Sequence, residues 1–248
     1  MAAAATEPLL LYSARICPWA QRATLALQET GLPHSIYEID LQNKPSWYNS
    51  KINPASKVPV LQIGGQDENS QGVPRIPESA VLLELISDLA AVRGGRTLTP
   101  EDPIERAEAR YFIERFLQIV NNVFSGVVYR GETDKIPEVY RGAEEIQGLL
   151  KARVEKTGGP FWHGKEPGLA DLGVAPFVGR LKVFSTSIPA LAQTDLNKTL
   201  FDQDGQYALF AQYAEALTSR PSWAKTFDAD YVSGAIAKRI EQLKQSAK

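Results

Sequence analysis

The stretch Leu9-Leu10-Leu11-Tyr12-Ser13-Ala14-Arg15-Ile16-Cys17-Pro18-Trp19-Ala20-Gln21-Arg22 decides how the chain is read. Leu9 to Tyr12 is an apolar run of strand length, and a tight loop separates it from Cys17-Pro18. Proline is accepted in the first turn of a helix because its missing N–H would have had no intrahelical partner. From Trp19 onward, Ala20, Ala23, Leu25 and Leu27 give a helix an apolar side, and Gly31 closes it. Cys17, the only cysteine, therefore falls at or just before a helix N-terminus. Unpaired N–H groups there favour a thiolate over a thiol, and Arg15 and Arg22 add positive potential. On these residues alone, a reactive thiol and an inert buried one are equally supported.

Composition narrows the field around that thiol. The 248 residues are enough for one large domain or two ordinary ones. A formal charge of −2 supplies no bulk attraction to nucleic acid or to an anionic membrane. One cysteine excludes an intrachain disulfide, which fits a reducing compartment. His34 and His163 are far apart and no carboxylates have ligand spacing, so no metal site is expected. Met1 to Leu11 has Glu7 and no basic residue, which argues against a secretory signal. No segment approaches the roughly 20 apolar residues of a membrane span. A soluble, cytosolic protein is expected.

After the first helix, Ser35 to Leu41 alternates at period two and reads as a strand, and Pro45 opens a short helix. Asn53-Pro54 and Ser56 mark a break before a strand over Val58 to Ile63, with Pro59 near its start. A polar loop, a short strand over Val73 to Ile76, and a helix capped by Glu78 or Ser79 follow. The order strand, helix, strand, helix, strand, strand, helix favours a thioredoxin-like α/β domain, with a ferredoxin-like arrangement as the alternative. Residues 94–103 form a Gly- and Pro-bearing linker between this domain (1–93) and an all-helical one (104–248). In the second, helices are expected over about 103–129, 137–156, 169–184, 207–218 and 236–243, with 190–204 an exposed connector.

At Cys17-Pro18-Trp19-Ala20, Asn43-Lys44-Pro45-Ser46-Trp47, Val58-Pro59-Val60-Leu61 and Glu78-Ser79-Ala80, the chain resembles the glutathione transferase superfamily, most closely the omega class and its fungal relatives. The resemblance spans about the whole chain. It implies an N-terminal thioredoxin-like domain holding glutathione as cosubstrate and a helical domain supplying much of the second-substrate site. By matching motif, Cys17 is the catalytic residue and forms a mixed disulfide with glutathione, with Pro18 structural beside it. Lys44 pairs with the glycyl carboxylate, and Val58 bonds the cysteinyl part through its backbone. Pro59 is expected to be cis, while Glu78 and Ser79 hold the γ-glutamyl end. Trp19, Tyr111, Phe124, Tyr129 and Phe177 are candidates for a pocket that takes a hydrophobic or aromatic second substrate. A homodimer is suggested. In one departure, Gly168 stands where relatives place the Ser or Thr that caps the helix carrying Asp171.

The residues have plainer readings too. Lys44 can be a solvated lysine, Pro59 a trans strand-end proline and Glu78 a simple cap, while Trp19 can belong to the core or to an open pocket. The expected activity is a cysteine-dependent thiol transferase, deglutathionylase or reductase, and with no second cysteine the cycle is monothiol. The alternatives are a conventional conjugating transferase, for which Tyr12 and Ser13 offer hydroxyls, and a non-catalytic carrier of hydrophobic or aromatic compounds.

Overall fold

In a computed structural model, which describes residues 6–246, the chain divides into two units, up to Glu101 and from Asp102 onward. The alanine-rich start, residues 2–5, lies outside the described residues.

The first unit is a thioredoxin-like fold. Its elements are β1 (Leu9–Ser13), α1 (Pro18–Thr30), β2 (Ser35–Glu38), α2 (Ser46–Lys51), β3 (Val60–Ile63), β4 (Arg75–Pro77) and α3 (Ser79–Arg93). The sheet order is β2-β1-β3-β4, with β1 parallel to β2 and antiparallel to β3, and β3 antiparallel to β4. Side chains alternate across a strand, so β1 feeds two cores. Leu10 and Tyr12 join Ile39, Tyr48, Ile52, Val58 and Val60 on one face. Leu9 and Leu11, also buried, are left for the face where α1 packs with α3. Helix α1 is buried nearly all round, including Gln21, Arg22 and Thr24, and Gly31 ends it at φ 72°.

Two strands are shorter than their patterns suggest. β2 is an edge strand whose residues are all exposed, and pairing stops at Glu38 because β1 ends opposite it; buried Ile39 then donates its N–H to the Ser13 carbonyl. β3 begins only after Pro59, which has no N–H to give a ladder.

The second unit contains α4 (Pro103–Phe124), a π-helical turn over Ser125–Arg130, α5 (Ile136–Thr157), α6 (Leu169–Ser187), α7 (Pro189–Ala192), α8 (Leu196–Leu200), α9 (Ala208–Thr218), α10 (Pro221–Thr226) and α11 (Ala229–Ser246). The expected connector over 190–204 is not an exposed loop: it carries the end of α7 and all of α8, and Leu191, Leu196 and Leu200 are fully buried. Three leucines spread over ten residues with polar neighbours give too few positions for a helical stripe, so only packing against α6 reveals them.

Helix α6 is the centre of this unit, packed by α4, α9 and α11 and buried from Leu169 to Leu181 without interruption. A Cβ on Gly179 would lie 2.2 Å from the Trp223 ring, so glycine there permits the close approach of α10. At the helix start, Gly168 has no side chain to offer, and the capping falls to Asp171. Its carboxylate accepts from the Gly168 N–H (2.8 Å), the Trp162 N–H (2.9 Å) and the Tyr213 hydroxyl (2.9 Å). Three donors compensate a fully buried carboxylate.

Burial nevertheless raises the Asp171 pKa from 3.8 to about 6, against the lowering effect of the Gly168 and Trp162 N–H groups. Between pH 4 and 6 the folded chain therefore holds a proton that the unfolded chain has released, so Asp171 contributes less stability as pH rises through that window. Asp171→Ala is expected to lose about 2–4 kcal/mol of unfolding free energy near pH 4. Urea titrations of both proteins should show the gap narrowing towards pH 6; a gap that widens contradicts the assignment.

Candidate functional site

One end of the sheet collects the segments that sequence analysis singled out. Tyr12 pairs with Val60, and Val60 pairs in turn with Pro77. Parallel β2 brings Glu38 beside Ser13 on the same side. The chain leaves these strand ends as the Cys17 loop, the loop bearing Lys44, and the Glu78–Ser79 start of α3, and it enters β3 through Val58–Pro59.

Cys17 is the N-cap of α1, in extended conformation, and its sulfur accepts the Ala20 N–H at 3.5 Å. Its carbonyl accepts the Gln21 N–H and its own N–H donates to the Ala14 carbonyl, so the backbone is fixed on both sides. The side chain is half-buried and packs, with Leu41 and Trp47, on the core cluster of Tyr12, Tyr48 and Val58. A sulfur aimed at the first turn meets donors that stabilise negative charge. Pro18 occupies the first helical position and is buried.

The two nearby arginines are engaged elsewhere, contrary to the simple expectation of free positive potential. Arg15 is exposed and lies 3.7 Å from the Glu38 carboxylate, which also accepts the Arg15 N–H. Arg22 is buried; it donates to the Ser79 hydroxyl at 3.3 Å and its guanidinium stands 4.6 Å from the Trp19 ring centroid. Trp19 is half-buried. Arg22 thus ties α1 to the first residue of α3.

Lys44 is half-buried and donates from Nζ to the Ser56 carbonyl at 2.6 Å and to its hydroxyl at 3.4 Å. The Val58–Pro59 peptide bond is cis. Glu78 is the N-cap of α3 but its side chain caps nothing; it is exposed, with φ 73° and ψ 114°. A β-carbon makes that region costly for a non-glycine residue, and such conformations concentrate where a site needs them. Ser79, behind it, is buried.

Of the two hydroxyls that conventional conjugation would use, the phenol of Tyr12 is engaged. Tyr12 is fully buried, donates to Gln62 Oε1 at 3.2 Å, and has its pKa pushed up by burial. Ser13 is buried as well. Of the second-substrate candidates, Phe124 packs edge-on with Phe177 (5.5 Å between centroids) and with Tyr129 (5.7 Å). Tyr111 is an exposed residue of α4, and Trp19 belongs to the first unit. Phe124 and Phe177 border a cavity of about 30 Å³ between α4, α5 and α6. That space is about the size of one water, where drug-sized ligands need roughly 300 Å³ or more. Among the described residues, no cluster of His, Cys, Asp or Glu is placed to hold a metal, and no helix is long and apolar enough to cross a membrane.

Tyr48 and Asn53 were not apparent as site residues from sequence. Tyr48 is buried and donates to the Lys57 carbonyl; its phenol pKa is raised by burial first, then by Tyr12 and Cys17. The Asn53-Pro54 pair signalled only a turn, and nothing in a turn signal says which carbonyl an asparagine will meet.

Residues 11–94 match the family model for the glutathione S-transferase N-terminal domain. The chain is 31% identical over 176 residues to a pyrimidodiazepine synthase of Drosophila melanogaster, a match covering 71% of this chain and 65% of that one. It spans about two thirds or less of the length of the curated relatives it matches. Among solved structures, glutathione transferase Omega 1C from Trametes versicolor superposes with a TM-score of 0.82 at 35% identity, covering 96% of this chain and 98% of that one. Omega 2S from the same fungus, in complex with 2,4-dihydroxybenzophenone, gives 0.78 at 27%, covering 93% and 98%.

The backbone at Glu78 makes its own prediction. Glu78→Gly should raise the unfolding free energy by about 1 kcal/mol, since glycine adopts positive φ without a steric penalty. Urea titration at neutral pH measures it, and a fall in stability would mean that the conformation is not strained.

Proposed function

The chain belongs to the glutathione transferase superfamily, on its omega-like side, and from that premise we propose that it is a cysteine-dependent thiol transferase acting through a Cys17–glutathione mixed disulfide. The observation that carries this reading is the Cys17 sulfur at the start of α1, at the sheet end that also bears Lys44, Val58, Glu78 and Ser79.

In the proposed cycle, the Cys17 thiolate attacks the glutathione sulfur of a glutathionylated thiol. The S–S bond breaks, the other thiol leaves as thiolate and takes a proton from water, and Cys17–S–S–glutathione remains. A second glutathione thiolate attacks the glutathione sulfur of that disulfide. It returns Cys17 as thiolate and releases oxidised glutathione. With no other cysteine in the chain, this external closure is the available one. The buried, engaged phenol of Tyr12 disfavours a hydroxyl-based conjugating site.

Lys44 supplies an ammonium with one N–H left beyond its two bonds to Ser56, suited to the glycyl carboxylate. The free carboxylate of Glu78 and the backbone start of α3 at Ser79 suit the γ-glutamyl end, with its ammonium and carboxylate. The second substrate is small and hydrophobic or aromatic, a class supported by the benzophenone bound in the Trametes relative. The 30 Å³ cavity disfavours carriage inside the helical unit as the main role. The single cysteine fits a reducing compartment, and we place the protein in the cytosol.

Intact-mass measurement after exposure to oxidised glutathione should find one adduct per chain, removed by reduced glutathione, and Cys17→Ser should abolish both the adduct and most turnover of a small glutathionylated disulfide. An unreactive Cys17 in folded protein defeats the proposal. Lys44→Ala and Glu78→Ala should each weaken glutathione binding roughly fivefold to tenfold in calorimetric titrations. Equal affinity in both would remove the roles assigned to them.

A further inference from the structure

The loop that leads into Val58 is pinned from within at nearly every turn. Asn53 Oδ1 accepts the Ala55 N–H at 3.0 Å, and the Asn53 carbonyl accepts the Ser56 N–H at 2.7 Å. Ser56 stands at φ 53°, its carbonyl holding Lys44 Nζ. One group then receives two bonds: the Lys57 carbonyl accepts from the Tyr48 hydroxyl at 2.8 Å and from Asn53 Nδ2 at 2.9 Å. A carbonyl oxygen has two lone pairs, so both are taken. Tyr48 and Asn53 are buried while the Lys57 side chain is exposed, so these bonds turn the carbonyl inward.

The geometry of the peptide group makes the next residue the beneficiary. The Lys57–Val58 peptide is trans, and in a planar trans peptide C=O and N–H point in opposite directions. With the Lys57 carbonyl drawn towards Tyr48 and Asn53, the Val58 N–H is aimed away from them. Among the described residues no acceptor meets that N–H. We infer that Tyr48 and Asn53 are positioning residues that fix the Lys57–Val58 peptide plane and so aim the Val58 N–H at a carbonyl of bound glutathione. This rests on the glutathione reading above and adds to it the two side chains that set the recognition edge.

Tyr48→Phe keeps the ring and its packing against Tyr12 and Trp47, which stand 6.1 and 6.2 Å away between centroids, and removes one of the two donors. It should raise the KM for glutathione roughly threefold to tenfold with kcat nearly unchanged. The rate at which iodoacetamide alkylates Cys17 should stay the same, because that reagent needs no peptide recognition. Tyr48→Phe/Asn53→Ala, which strips the carbonyl of both donors, should raise KM further. Ser50→Ala, on the exposed side of α2, should change nothing. In the parent, a ¹⁵N-labelled sample titrated with glutathione should shift the Val58 amide proton downfield, a readout that needs no variant to fold. A parent that binds no glutathione overturns the functional reading and this inference together. A parent that binds it while the Val58 amide stays unmoved, or while Tyr48→Phe keeps the parental KM, overturns this inference alone. A Tyr48→Phe variant that loses kcat and stability with KM intact makes Tyr48 merely structural and overturns it too.

Discussion

β3 runs antiparallel to β1, and the positions of Val58, Pro59, Glu78 and Ser79 relative to Cys17 depend on that one pairing. A strand has two ends, and the direction of its neighbour decides which loops meet. Because Tyr12 faces Val60, the chain entering β3 lies beside the chain leaving β1. Because β4 turns back again, Pro77 and the start of α3 arrive at the same rung. Had β3 been parallel to β1, Val58 and Pro59 would sit at the far end of the sheet from Cys17. The ladder is secured by burial on both sides: Tyr12 and Val60 are fully enclosed, and so is Leu11. A register slip would exchange their two faces, which burial forbids.

At that rung the groups proposed to recognise glutathione are largely backbone and backbone-anchored. The first turns of α1 and α3 present N–H groups, and Val58 presents another from a turn pinned by its own neighbours. Side chains set the aim of these groups. Arg22 holds the Ser79 hydroxyl, Lys44 holds Ser56, and Tyr48 with Asn53 holds Lys57. Donors fixed in this way would lower the entropy lost if glutathione binds there as proposed. The thiol proposed as the nucleophile accepts the Ala20 N–H, and this N-cap bond orients the sulfur relative to the helix start.

The helical unit shows the reverse economy, with large aromatic side chains and little empty space. Phe112 stacks on Trp162 at 4.4 Å, Phe116 and Phe124 pack about Phe177, and Trp223 presses on Gly179. The fully buried carboxylate of Asp171 joins three segments, from α6, α9 and the loop before α6, through its three donors. A glycine at the N-cap is tolerated because the aspartate supplies the other half of the cap. The aromatic richness visible in this half of the sequence therefore reflects packing first.

Local chemistry made several features legible in the sequence. Pro18 after Cys17 marks a helix start, Gly31 a helix end, and Leu9 to Tyr12 a strand, because each depends on the conformational limits of the residue itself. The four motifs in order carried the family and its thioredoxin-like sheet. Tertiary structure alone decided that Arg22 turns to Ser79 and Arg15 to Glu38, that the polar stretch after α6 buries Leu191, Leu196 and Leu200, and that Tyr48 and Asn53 share one carbonyl. Those outcomes depend on which groups meet across the fold, and a hydrogen-bond donor in a sequence carries no sign of the acceptor that folding will bring to it.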